Sequence, residues 1–597
     1  MGFLTQFRRD IVYFKSLLRF AKRVAPAAED SSITAADLVE GWAAKTPDKE
    51  ALVFEGRSYT YAAYNAEGNR WAHWARAQGL ANGDVVALFM ENRPEFLFAS
   101  LGLQKIGVTI ALINTNLTGQ ALAHCVNIAK AKLLILGAEL AANYESGKDQ
   151  FDPPLPVWSE GGAVSGAESL DDALPALPVD HVGREAREGL TGDDICFFIY
   201  TSGTTGLPKA ARFSHRRMQS GSAVFSMSVD ARDDDRVYVC LPLYHSAGGV
   251  AAPGIALFAG GTIVLARKFS ATRFWQDCVE NDVTVFQYIG ELCRYLLNTD
   301  ACDEECAHKI RICVGNGLRP EVWRPFQTRF RIPHIVEFYG ATEGNVMLFN
   351  FDGYPGAVGR IPWFAKKAYE RIKFVKFDIE SEEPVRGADG FCIECPVDEV
   401  GEAVGRISDE PGEGFEGYGD RKADEKKILH DVFEKGDMYF RTGDLLRMGK
   451  HGYVYFVDRI GDTFRWKGEN VATSEVAEVL SVFNGIEEAN IYGVHVPGAD
   501  GRAGMAAIVS APGLDIDKLS THIAAQLPTY ARPIFLRILP EMEITGTFKH
   551  RKVDLQKEGF DPSAISDPMY FFDDIAGVYV ELTPALYEKI KSGGMRF

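Results

Sequence analysis

Tyr200-Thr201-Ser202-Gly203-Thr204-Thr205-Gly206-Leu207-Pro208-Lys209 is the stretch on which the reading of this chain turns. It follows the apolar run Ile195 to Ile199 directly, as a loop follows a buried strand. Its glycines let backbone turn tightly and approach a ligand. The hydroxyls of Thr201, Ser202, Thr204 and Thr205 offer hydrogen bonds to phosphate oxygens, and Lys209 adds a mobile cation. The combination predicts a phosphate-cradling loop; a plain Gly/Thr surface turn is the alternative. The Walker pattern is excluded, because Gly203 is followed five places later by Pro208 rather than by Gly-Lys-Ser/Thr.

Upstream, apolar runs Val85 to Met90, Val108 to Ile113 and Leu133 to Leu136 alternate with helical segments Glu95 to Lys105 and Leu122 to Ala129. This βαβαβ order implies a parallel sheet covered by helices. Phe151 to Asp194, rich in Pro, Gly, Ala and Asp, reads as irregular connection, and a second α/β block follows to about Asn350. Short β-like runs fill Phe374 to Val457. Beyond Asp458, Thr473 or Ser474 is expected to cap a helix carrying Val476, Val479, Leu480 and Phe483, among strand-like segments near 489–496, 506–509 and 534–539. The fold class is therefore α/β. Residues 25–457 are expected to form a large domain of parallel α/β subdomains plus a β-rich subdomain, and residues 458–597 a small α+β domain.

The 597 residues carry a formal net charge of −18, which would repel phosphate backbones and argues against a nucleic-acid partner. Ten scattered cysteines, several inside apolar runs, suit reduced thiols and a cytoplasmic compartment. Cys392 and Cys395 lack a second pair, so no protein-ligated zinc is expected. No apolar stretch has the length and freedom from charge of a membrane span. Residues 1–24 are nevertheless unusual: Leu4, Phe7, Ile11, Phe14 and Leu18 recur at helical spacing among Arg8, Arg9, Lys15, Arg19, Lys22 and Arg23. Such a basic amphipathic helix either lies in a bilayer interface, on the inner face of a membrane, or packs on its own domain.

The loop Tyr200 to Lys209 resembles the signature of the adenylate-forming superfamily of acyl-CoA synthetases, and further matches follow in order: Phe338-Tyr339-Gly340-Ala341-Thr342-Glu343-Gly344, Tyr439-Phe440-Arg441-Thr442-Gly443-Asp444, Asp458-Arg459 and Lys467-Gly468-Glu469-Asn470. A narrower resemblance, to the fatty acid transport protein and very-long-chain acyl-CoA synthetase family, rests on Asn114-Thr115-Asn116-Leu117 with His124-Cys125, on Gln287 to Leu292, on Gly315-Asn316-Gly317-Leu318-Arg319-Pro320 and on Arg465 to Val471. The resemblance implies an ATP-dependent ligase that activates a long-chain or very-long-chain fatty acid as an adenylate and passes it to coenzyme A. A ligase for another bulky acid, such as a sterol-derived one, and a fatty acid uptake protein are the rival readings.

Site roles carried by the resemblance are as follows. Thr201, Ser202, Gly203, Thr204, Thr205, Gly206 and Lys209 would cradle ATP phosphates, with Gly315, Asn316, Gly317, Phe338 and Gly340 also lining the nucleotide site. Glu343, with Thr204, would bind Mg²⁺; Thr342 would contact the α-phosphate, Tyr339 stack on adenine, Asp444 accept from the ribose hydroxyls and Arg459 reach the nucleotide. Lys467 and Gly468 would face the thiol. Tyr244, His245, Gly248, Gly249 and Gly290 would line the acyl pocket, the small residues leaving room for an alkyl chain. The superfamily's terminal Thr-Gly-Lys reads here Thr545-Gly546-Thr547-Phe548-Lys549-His550-Arg551-Lys552, which puts Lys549 at the catalytic position, with Lys552 as the alternative.

Overall fold

A computed structural model describes residues 3–29, 33–201, 207–341, 343–408, 410, 413–467, 469–497, 499, 501–543, 552–574, 576–592 and 595. The chain divides into two compact units, Met1–Leu318 with Val322–Gly359 and Ile407–Ile428, and Arg319–Glu321 with Arg360–Arg406 and Leu429–Phe597. Asp458, where the sequence reading opens the small domain, lies inside the second unit, in a strand.

The first unit opens with helix α1 (Phe3–Glu29) and holds two sheets. The seven-stranded sheet runs Glu168–Ser169, Val157–Glu160, Leu133–Gly137, Val85–Phe89, Thr109–Leu112, β1 (Ile195–Thr201) and β2 (Lys209–Ser214). Its strands are parallel up to β1, and β2 returns antiparallel. Near-continuous apolar runs such as Val85–Phe89 and Leu133–Gly137 belong in such a sheet, because helices cover both faces. Val157–Glu160, inside the stretch expected to be irregular, forms a strand because all four of its residues are buried. Helix α2 (His215–Ser228) follows β2 and is capped by Ser214, whose hydroxyl accepts from the Arg217 amide.

The eight-stranded sheet contains β3 (Val285–Ile289), β4 (Ile312–Asn316) and β5 (Ile335–Gly340) as parallel neighbours, paired Gln287 to Val314 and Gly315 to Glu337. Their carboxyl ends, Ile289, Asn316 and Gly340, therefore share one edge, where open α/β sheets bind ligands.

In the second unit Ile372–Asp378, Val400–Arg406, β6 (Met438–Met448) and β7 (Tyr453–Arg459) form an antiparallel sheet. Hairpin β8 (Phe464–Trp466) and β9 (Glu469–Val471) precedes a five-stranded sheet, Ile486–His495 through Val578–Glu581, packed on helices Thr473–Ser481 and Ile516–Gln526. The cap expected from Thr473 or Ser474 differs: Ala472 is the N-cap, and the helix start is met by the buried carboxylate of Asp458, which accepts from the Thr473 amide at 2.6 Å and its hydroxyl at 3.1 Å. A charged acceptor reaching across from a strand does the work a local hydroxyl would do.

Helix α1 uses two opposite faces. Tyr13 is fully buried, its ring edge-on to Phe351 at 5.2 Å, and Arg9 pairs with the buried carboxylate of Asp352 at 3.0 Å. Phe7, Ile11, Phe14 and Leu18 point the other way and are 54%, 39%, 50% and 46% exposed. Replacing Tyr13 with alanine should weaken docking of α1 by about 3 kcal/mol. Amide exchange across α1 is then expected to quicken up to roughly a hundredfold while the global melting midpoint holds. Unchanged exchange would assign the docking to the arginines alone.

Candidate active site

Helix Gly119–Ile128 braces both flanks of the glycine-rich loop: the Tyr200 phenol donates to the Cys125 carbonyl at 2.6 Å, and His124 Nε2 lies 3.0 Å from the Pro208 carbonyl. Ser202, Gly203, Thr204, Thr205 and Gly206 lie outside the described residues, as do Thr342, Gly468 and Lys549.

Around the loop's described ends, charged and hydroxyl groups of the first unit converge. The Tyr418 phenol donates to Glu343 Oε1 at 2.8 Å and shares a hydrogen bond with Thr201, while Lys209 Nζ sits 5.3 Å from the centre of the Tyr418 ring. Burial, then the Glu343 charge, push the Tyr418 phenol well above its ordinary range, so it stays a neutral donor. Lys427 Nζ is 3.9 Å from Glu343. Half-buried Arg217 holds the strand-to-turn segment beyond β5, donating to the carbonyls of Ala341 at 3.4 Å and Gly344 at 2.5 Å; desolvation lowers its pKa against the opposing pull of Glu416 and Glu343. Tyr418, Lys427 and Arg217 were not singled out from sequence. Tyr418 stands between Gly417 and Gly419, both at positive φ, and the Gly417 carbonyl accepts from the Arg212 amide of β2 at 3.0 Å. That Gly-Tyr-Gly turn was the available signal.

The edge shared by β3, β4 and β5 is built with little clearance. Gly317 has φ +79°, and a Cβ on Gly290 would stand 1.8 Å from the Gly317 carbonyl. Buried Glu337 spans the gap: one oxygen accepts from the Leu318 amide at 3.1 Å, the other meets the Tyr288 phenol at 2.5 Å. Burial pushes its carboxyl up to about 8, against the lowering effect of these donors. Gly315 and Asn316 lie at the end of β4 on this edge, Tyr339 is buried in β5, and Gly340 is exposed at its tip. The Phe338 ring packs on Phe225 of α2 at 4.8 Å.

Tyr244 is buried, its phenol held up at about 12 by desolvation and bonded to Thr115, and its ring lies 4.4 Å from that of His245. The space beside Gly248 and Gly249 is filled by the chain itself: added Cβ atoms would stand 2.3 Å from the Pro242 carbonyl and 2.0 Å from that of Leu243. Close backbone approach by itself requires glycine at these two positions.

In the second unit Asp444 and Arg459 pair across β6 and β7, carboxylate to guanidinium at 3.7 Å. Lys467 turns the β8–β9 hairpin at φ +52°, its ammonium 5.9 Å from the Trp466 ring centre. Lys552 is engaged by Asp462 at 2.9 Å and the Thr473 hydroxyl at 2.8 Å, beside Asp458.

Comparison with known proteins fits this geometry. A family model for AMP-binding enzymes matches residues 39–375, and one for the AMP-binding enzyme C-terminal domain matches residues 475–549. The chain therefore belongs to the AMP-binding enzyme family. Within it, the chain groups with proteins named long-chain fatty acid transport proteins. It is 43% identical to long-chain fatty acid transport protein 6 of Mus musculus over 92% of this chain and 89% of that one. It is 41% identical to protein 2 of Rattus norvegicus over 98% and 94%. Among solved structures, the anthranilate CoA ligase AuaEII bound to anthranoyl-AMP superposes with TM-score 0.75 at 21% identity, covering 89% of this chain and 98% of that one. A Mycobacterium tuberculosis fatty acyl CoA synthetase gives 0.61 at 24%, covering 88% and 98%.

Glu337 predicts a pH dependence. Its unfolded pKa is near 4.5 and its folded pKa about 8, so between these values the native state holds a proton that the unfolded state has lost. Its contribution to stability is full below the lower value and falls as pH rises to the upper. Glu337→Gln should therefore gain on the wild type by roughly 2–5 kcal/mol between these limits. Thermal midpoints of the two proteins at about pH 5, near the lower end of this window, and at about pH 8, at its upper end, would test this; parallel curves for the two proteins would contradict it.

Proposed function

We propose that this protein is an ATP-dependent ligase that joins a long-chain or very-long-chain fatty acid to coenzyme A through an acyl adenylate. The observation that carries the reading is the convergence of Thr201, Lys209, Tyr418 and Glu343 beside the braced loop, in a chain of the AMP-binding family related to fatty acid transport proteins. A fatty acid carboxylate oxygen attacks the α-phosphorus of ATP and pyrophosphate leaves. The thiolate of coenzyme A, its proton given up to solvent, then attacks the acyl carbon and AMP leaves.

The residues serve these steps by position and charge. Lys209, and the loop hydroxyls of Ser202, Thr204 and Thr205, hold the phosphates. Arg217 holds the carbonyls of Ala341 and Gly344, so that Glu343 is presented from a set backbone, and Thr342 serves as the α-phosphate contact. Glu343, a hard carboxylate beside the Tyr418 hydroxyl, would hold Mg²⁺ together with the Thr204 hydroxyl. When bound there, Mg²⁺ neutralises phosphate charge. Asp444 accepts from the ribose, oriented by Arg459. The domain 458–597 presents Lys549 to the adenylation step and the Lys467-Gly468 turn to the thiol step.

Lys552 is already committed to Asp462 and Thr473, which favours Lys549 as the catalytic cation. Lys549→Ala should lose pyrophosphate exchange by about two to four decades yet convert a supplied acyl adenylate and coenzyme A into thioester. Lys552→Ala is expected to exchange pyrophosphate at a wild-type rate; loss there with retention in Lys549→Ala would reverse the assignment. A panel of acids, fatty and sterol-derived, assayed for thioester tests the substrate class.

The protein also meets a membrane through residues 1–24. No helix among the described residues is long and apolar enough to cross a membrane. The exposed stripe Phe7, Ile11, Phe14 and Leu18, with Arg8 and Lys15 beside it, suits an interfacial position instead. Phe7→Ser with Phe14→Ser should release the protein from anionic vesicles, whereas unchanged co-sedimentation would place the contact elsewhere.

A further inference from the structure

On the flank of α1 an open cavity of about 440 Å³ is lined by Val12, Ser16 and Arg19 of the helix and by Arg232, Arg311 and His334 of the body of the first unit. The cavity lies apart from the braced loop and from the β3–β5 edge, and the proposed reaction uses none of these residues. Two of its guanidinium groups are already fixed. Arg311 bonds both oxygens of Asp235 and the carbonyls of Val229 and Asp230, while Arg19 pairs with Asp230 at 3.0 Å and donates to Ser16. Arg232, the third, is exposed and makes no side-chain hydrogen bond or ion pair among the described residues. Asp230 is the one carboxylate of the lining, and Arg19 neutralises it. With Arg19 offset by Asp230 and Arg311 by Asp235, the exposed Arg232 is the guanidinium of this lining that no carboxylate offsets, and the oriented Arg311 lines the same cavity. Val12, Val229, Ile312 and Phe351 make the rest of the wall apolar.

Helix geometry sets the depth of this cavity relative to the apolar stripe. At about 100° per residue, Val12, Ser16 and Arg19 lie roughly 100–160° round α1 from the centre of the stripe, with Arg8 and Lys15 at about 60–80° between them. When the stripe enters the acyl boundary by about 5–10 Å, a group a quarter-turn or more away stands at the level of the headgroups. A site with guanidinium donors on one wall and apolar side chains on another, at that level, suits an anionic amphiphile.

We propose that this cavity binds the phosphate headgroup of an anionic phospholipid, with Arg232 as the residue that closes on the phosphate. The placement rests on the interfacial reading of α1; the binding chemistry does not. Headgroup recognition adds selectivity to an attachment that the stripe alone would leave indifferent to the kind of anion.

Vesicles of phosphatidylcholine doped with phosphatidate, or with oleate to the same surface charge, test selectivity on a membrane using the full chain. Wild type should bind the phosphatidate vesicles about tenfold more tightly than the oleate vesicles. Arg232→Ala should reduce that ratio to near one while keeping its oleate binding, and Arg232→Lys should restore part of it. A ratio near one in the wild type, or an unchanged ratio in Arg232→Ala, overturns the proposal. Calorimetry with a short-chain, monomeric phosphatidate separates the site from the membrane reading. Binding by wild type and not by Arg232→Ala supports the cavity even if every vesicle fails to bind, whereas vesicle binding without soluble phosphatidate binding leaves the interfacial helix and removes the site. Equal competition by inorganic phosphate at fixed ionic strength would make this a free-phosphate site and overturn the lipid assignment.

Discussion

The carboxyl of Glu337 sits inside a parallel sheet between the Tyr288 phenol and the Leu318 amide, with no solvent to share its hydrogen bonds. An ionised carboxylate there would pay heavily for desolvation, so the group keeps its proton through neutral pH and acts as a short neutral strut. The strut ties β3 to the turn after β4 from a position on β5, so three strand ends are set at one height. Gly290 and Gly317 then fit against each other with no room for a side chain. The Gly315–Gly317 turn and the Phe338–Gly340 segment inherit their positions from this arrangement.

Much of the fold could be read from contiguous patterns, because a βαβ unit writes its period directly into the chain: Val85–Phe89, Thr109–Leu112 and Leu133–Gly137 fall where apolar runs announced them. What escaped was long-range. Tyr418 reaches Glu343 across 75 residues of sequence, and Asp458 caps a helix beginning 15 residues later. No local periodicity encodes such pairings. The glycines after His245 are ambiguous in sequence for a related reason, since a missing side chain reads identically whether a ligand or the chain's own carbonyls require it.

The strings that narrowed the family resemblance turn out to do framework work. His124 and Cys125 brace the glycine-rich loop, Thr115 holds the Tyr244 phenol, and Gln287–Leu292 with Gly315–Leu318 builds the strand-end edge. Apart from the Thr115 contact with Tyr244, these contacts lie at the glycine-rich loop and at the strand-end edge. Preference for a long acyl chain is therefore supported by kinship with the fatty acid transport proteins more than by what those residues touch.

Helix α1 is held to the first unit by directional contacts: an ion pair to Asp352, a ring edge against Phe351 and a second ion pair to Asp230. A helix held only by apolar packing could roll about its axis; one keyed by these three contacts cannot. Any surface that accepts the outward stripe consequently meets the enzyme at one azimuth, with the catalytic edge at a constant height above it. For a substrate barely soluble in water, that geometry would turn a search through volume into a search within a plane.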